Sequence, residues 1–173
     1  MRTQRYFAAS AVALLLGCAI PVVTPAPSPS MRVGASAGRY GATEARIFEL
    51  INAERQHQGL PALVYNAQLD RMAKIQAENM AYFQKMAHTL PEAQLPTLGD
   101  RARYVGYPFG RLAENVALGY PNAETAVQGW MNSTGHRRNI LDSSVEETGI
   151  GIARSSAGGL YYCQVFGRRL TSL

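Results

Sequence analysis

The stretch TGIGIARSSAGGLYYCQVFG, residues 148–167, limits the possible folds more than any other part of the chain. Two runs rich in Ile, Tyr, Val and Phe flank a loop with adjacent glycines, which is a hairpin pattern. Upstream, most of the periodic sequence reads as helix. Ile47, Leu50 and Ile51 keep the i, i+3, i+4 spacing of a helix that starts near Thr43 and is stopped by GLP at 59–61. Asn66 is placed to cap a second helix, with the stripe Leu69, Met72, Ala73, Met80, Phe83 and Ala87 and with His88 at its C-terminal end. DRARYVGYP, residues 100–108, predicts a short helical turn. RLAENVALG, residues 111–119, is apolar and bounded by glycine, and predicts a strand in which Glu114 is the one acid. Asn122 is placed to cap a further helix with Ala126, Val127, Trp130 and Met131 on one side, ended at Ser133-Thr134-Gly135. Helices, a strand, a helix and a hairpin in that order imply an α+β layered domain and not a parallel βαβ sheet.

The N-terminus reads as a targeting segment. MRTQRYFAASAVALLLGC has two arginines, then an apolar run from Tyr6 to Leu16. That run has the length of a signal-peptide core and is too short to span a bilayer. It ends in LLGC, residues 15–18, which resembles a lipoprotein cleavage box. The expectation is a lipoprotein-type signal peptide at 1–17, lipid on Cys18, and export to a membrane-anchored position facing the periplasm or cell exterior; cleavage further on would mean plain secretion. Residues 18–42 are rich in Pro, Ser, Ala and Gly and read as a tether. Residues 43–173 are long enough to bury a core as one domain, expected to be monomeric. Cys163, in a strand-like run, reads as a small buried apolar residue. The formal net charge of +5 includes Arg2 and Arg5 of the targeting segment. The other basic clusters are the short pairs Arg137-Arg138 and Arg168-Arg169, with no long basic run interleaved with aromatics, which argues against a nucleic-acid partner.

Several blocks follow one another in a recognisable order: ELINAERQHQGLPALVYNAQLDRMAKIQAENMA at 49–81, AEN at 113–115, Trp130, GHRRNIL at 135–141, and GIGIA followed by YYCQVFG. Together they resemble the CAP superfamily, also called SCP-like, which includes cysteine-rich secretory proteins, antigen 5 proteins and class 1 pathogenesis-related proteins. The resemblance spans roughly residues 43–168 and is strongest to short bacterial members without disulfides. It implies a three-layer α-β-α sandwich with a central antiparallel sheet and a cleft. It also implies that His88, Glu114 and His136 face one another there. Animal members add a second Glu three residues after the Trp; this chain has Ser133 at that position.

Two imidazoles and a carboxylate have the ligand types of a zinc site, or one for another divalent metal, with an open position for an activated water. Without metal, Glu114 can orient a histidine as a general base. The same three groups can equally form a hydrogen-bonded cluster that knits helix, strand and loop together. The leading expectation is an exported, lipid-anchored protein whose cleft, including His88, Glu114, Ser133 and His136, binds a small molecule, lipid or envelope component. A metal-dependent hydrolase or protease using the His-Glu-His cleft, and a purely structural envelope protein, are the alternatives. No His-Glu-x-x-His and no serine in a nucleophile context occurs, which argues against a classical enzyme. Gly135 is expected to turn the backbone and deliver His136 to the cleft. Asn115 and Asn139 are expected to bond backbone in loops, Trp130 to be core, and Tyr161 and Tyr162 to alternate between core and solvent. Arg137 and Arg138 read as a solvated face, or as a contact to anionic lipid or cell-wall polymer.

Overall fold

Local capping chemistry places most of the helix starts. In the computed structural model, which describes residues 41–170, the order is α1 (Ala42–His57), β1 (Val64–Tyr65), α2 (Ala67–Phe83), α3 (Leu98–Tyr104), β2 (Phe109–Leu118), α4 (Ala123–Asn132), α5 (Thr134–Ile140), β3 (Glu147–Arg154) and β4 (Leu160–Arg169). The expected signal peptide, the Cys18 lipidation site and nearly all of the tether lie outside the described residues. The Asn66 side chain accepts from the Gln68 and Leu69 amides at 2.8 and 3.1 Å. Asn122 accepts from the Thr125 amide at 2.9 Å, and Thr97 and Asp100 form a reciprocal capping box at α3.

The strands lie in the order β1-β3-β4-β2. β4 is antiparallel to β3, as the hairpin pattern predicts, and also to β2, while β1 pairs parallel with β3 at the edge. β1 has only two residues, too few to show any alternation in sequence.

Helices cover both faces of the sheet, which gives the three layers. On one face Ile47, Ile51, Val127, Trp130 and Ile140 of α1, α4 and α5 pack with Ile150, Tyr162 and Phe166. On the other, Leu69, Met72, Met80 and Ala102 of α2 and α3 pack with Val116, Tyr161, Cys163 and Val165. Successive β4 residues thus enter opposite cores. Tyr161 and Tyr162 are both buried, which corrects the expectation that one ring reaches solvent; a sheet covered on both sides has no wet face. Cys163 is buried and in no disulfide among the described residues.

The NAER motif is structural. Asn52 exchanges two hydrogen bonds with the Leu63 backbone, at 3.1 and 2.8 Å. Arg55, buried in α1, donates to the carbonyls of Pro61, Ile140 and Asp142 at 2.8–2.9 Å, tying α1 to the end of α5.

One helix end differs from the sequence reading, and a second, placed as expected, is followed by a helix that the reading did not contain. α2 stops at Phe83, before Ala87 and His88, because Gln84 adopts the left-handed conformation with φ 51° and returns its amide to the Met80 carbonyl. α4 ends at Ser133, whose φ −94° and ψ 121° break the helical path, and the chain at once resumes as α5. Gly135 therefore lies inside α5 and terminates nothing.

Candidate functional site

Glu114 sits mid-way along β2, paired with Val165 of β4, where its side chain points into the layer beneath α2 and α3. A buried carboxylate there needs compensating partners. Three elements supply them. Arg101 of α3, fully buried, donates from Nη2 to Glu114 Oε2 at 2.5 Å. The loop after α2 brings His88 Nδ1 to 3.0 Å from Oε1. The Cys163 thiol of β4 donates to Oε2 at 3.5 Å. Arg101 is itself fixed by Gln76 of α2, whose Oε1 accepts from Nη1 at 2.6 Å. The Gln76 amide donates in turn to the Ala87 carbonyl at 2.6 Å, which holds the loop that presents His88.

His136 reaches the same region from the first turn of α5. Asn139 and Asn115 pin that helix to β2. The Asn139 amide donates to the Glu114 carbonyl at 3.2 Å and to Asn115 Oδ1 at 2.9 Å, and the Asn115 amide donates to the His136 carbonyl at 3.2 Å. Trp130 is core, as expected, and its indole N–H caps the Val116 carbonyl at 3.2 Å. Beside His136 lies a pocket of about 220 Å³ bordered by Met86, Val116, Leu118, Tyr120, Trp130 and Ser133 among others. Ser133 lines the pocket next to His136.

The sequence reading found the carboxylate and both imidazoles and missed the residues that govern them. Arg101 and Gln76 had no distinguishing mark: Arg101 and Arg103 alternate on one short helix, and only the fold shows which of the two is buried. The one available signal was Glu114 itself, an acid in an apolar strand that requires a cation.

This network engages Glu114 within the protein itself. Both Glu114 oxygens are engaged and its side chain is 3% exposed, with the buried Arg101 guanidinium as its counter-charge. Among the described residues no group of three or more His, Cys, Asp or Glu side chains is arranged to hold a metal. Glu114 instead stands behind His88, orienting the ring through Nδ1 and leaving Nε2 as its free nitrogen.

The two imidazoles are driven apart. The hydrogen bond to Glu114, and then the Glu114 charge, raise the His88 pKa above the ordinary 6.5, against burial and Arg101. Burial, and then the charge of His88, lower that of His136. A raised imidazole contributes stability below its unfolded value and loses it as pH rises through the folded one; a lowered imidazole contributes above its unfolded value and loses it as pH falls through the folded one. The cluster is therefore most cohesive in a window bracketing pH 6.5, with His88 charged and His136 neutral. In an NMR titration of the ring protons, the His88 midpoint should lie above that of His136. Coincident or inverted midpoints would contradict the arrangement.

The comparisons with known proteins agree with this architecture. The family model described as CAP, the cysteine-rich secretory protein family, matches residues 48–166. The chain belongs to this family. Among its relatives is the uncharacterized protein YkwD of Bacillus subtilis (strain 168), 35% identical over 130 residues that make up 73% of this chain and 48% of YkwD. Another is the uncharacterized membrane protein YlbC of the same organism, 31% identical over 127 residues, 73% of this chain and 35% of YlbC. The chain spans half or less of the length of these curated relatives. Of solved structures, an extracellular protein containing a SCP domain from Bacillus anthracis superposes with TM-score 0.67 at 31% identity, over 73% of this chain and 40% of that one. An outer surface protein from Borrelia burgdorferi shares the fold, with TM-score 0.65 at 21% identity over 72% of this chain and 90% of its own.

Proposed function

We propose that this CAP-domain protein is exported and binds a small ligand in the cleft beside His136 without turning it over. The carrying observation is the pairing of an open, largely apolar pocket with a cluster whose carboxylate is already engaged internally. The pocket offers Met86, Leu118, Tyr120 and Trp130 for contact, and Ser133 and His136 for orientation. The carboxylate and the thiol are committed within the protein. Glu114 is locked by Arg101 and His88, and burial raises the Cys163 thiol well above its ordinary value, so it stays protonated and unreactive.

Trp130 is the chain's single tryptophan and lines the pocket, so its fluorescence reports occupancy. Titrating the full chain with hexanol, a small amphiphilic probe, should change that emission saturably. Ser133→Leu, which crowds the pocket mouth, should weaken the response at least tenfold. No saturable change, or an unaltered response in Ser133→Leu, would remove the cleft-binding reading.

Export is supported by the targeting pattern of residues 1–18 and by the Bacillus anthracis relative, which is an extracellular protein. We further propose that lipid on Cys18 holds the protein at the membrane. Cys18→Ser should shift the chain from the membrane fraction to the soluble one, or leave it unprocessed. A mature N-terminus well beyond residue 18 in the unmutated protein would refute the anchor.

A further inference from the structure

The arginines of the described residues are almost all spoken for. Arg46, Arg101, Arg103, Arg111 and Arg169 pair with carboxylates. Arg55 and Arg154 donate to backbone carbonyls, and Arg71 lies over the Tyr104 ring. Among the described residues Arg137, Arg138 and Arg168 are left with no acceptor. Two of these three line one groove. It has a volume of about 520 Å³ and is bordered by Met131, Asn132, Thr134, Arg137, Arg138 and Leu141, with no carboxylate among them. The acid just beyond it in sequence, Asp142, is taken by Arg111 at 2.9 Å and by Ser144.

We propose that this α4–α5 groove is a phosphate-binding site, with Arg137 and Arg138 as its cationic ligands. A guanidinium presents a planar fork of N–H donors that matches two oxygens of a phosphate, and two forks on adjacent residues with no partner in the protein leave a local positive charge available to an anion. Asn132 and Thr134 add uncharged hydrogen-bonding groups at the rim. Met131 and Leu141 give the groove an apolar part, so a phosphate that carries an acyl or glycerol group finds contacts beyond its charge. The site shares α5 with the His136 cleft but none of its lining residues, and it does not depend on what the cleft binds.

Arginine side-chain Nε–H signals of the full chain, followed by NMR, read this site directly. Addition of sn-glycerol 3-phosphate should move the Arg137 and Arg138 signals saturably and leave Arg168 unmoved. The charge-removing variant Arg137→Gln/Arg138→Gln should weaken binding at least tenfold, measured by calorimetry. Both positions are exposed, so the fold should persist, while Arg168→Gln should bind as the unmutated chain does. Short-chain dihexanoyl phosphatidylglycerol below its micelle concentration separates two sources of phosphate. Tighter binding than glycerol phosphate assigns a lipid headgroup, and equal binding assigns a soluble or polymeric phosphate. Absence of any shift at Arg137 and Arg138, or an equal loss of binding in Arg168→Gln, would overturn the site in favour of diffuse charge attraction.

Discussion

Arg101→Met should destabilise the domain by about 3–5 kcal/mol, because it leaves a buried carboxylate without its cation. Arg101 is fully buried, its Nη2 is 2.5 Å from Glu114 Oε2, and the Glu114 side chain is 3% exposed. Without the guanidinium, Glu114 keeps only the ring of His88, more than half exposed, and a thiol at 3.5 Å. Neither compensates for the lost charge at that depth. The loss is a large share of the roughly 5–15 kcal/mol that holds a typical domain together. The double variant Arg101→Met/Glu114→Leu should recover much of it, since removing both charges also removes their desolvation cost. Urea unfolding with an unchanged m-value is the measurement. A single variant losing under about 1 kcal/mol, or a double variant no better than the single, would mean that Glu114 is satisfied some other way.

Gly149→Ala should be at least as damaging, with an expected cost of about 4 kcal/mol or more, at the extreme of single substitutions. A Cβ at Gly149 would lie well under 3.0 Å from the Asp70 nitrogen and the Leu69 carbonyl carbon, both backbone atoms of α2. A helix backbone cannot rotate aside as a side chain can, so α2 would have to lift from β3 along with the core beneath it. That core includes the Gln76–Arg101–Glu114 chain, so the cleft would lose its frame together with the fold. Gly135→Ala is the matched control. It stands inside α5, where a Cβ would have nothing within 4 Å, and it should be neutral or stabilise by about 0.5–1 kcal/mol through helix preference. Thermal melts of the two variants side by side test both statements; similar melting temperatures would refute the packing argument.

The sequence by itself determined whatever depends on neighbours along the chain. The caps at Asn66 and Asn122 needed only an amide oxygen two or three residues from a free N–H. The helical stripe of α2 and the β3–β4 hairpin follow from the apolar period and the glycine loop. Glu114, His88 and His136 were legible as a set because their motifs occur in a fixed order, and because an acid in an apolar strand demands an explanation. The tertiary structure alone decided what that explanation is. Arg101 lies 13 positions and Gln76 38 positions from Glu114 in the chain, and no local pattern marks either as its partner. The end of α2, and the resumption of the chain as α5 after the break at Ser133, were missed for the same reason. Neither Gln84 nor Ser133 is an obligatory helix breaker, and it is the packing of the following segments, the loop held by Gln76 and the helix pinned by Asn139, that requires the chain to turn there. A charge buried between layers is stabilised by whichever groups the layers bring to it, and that is fixed only once the layers have packed.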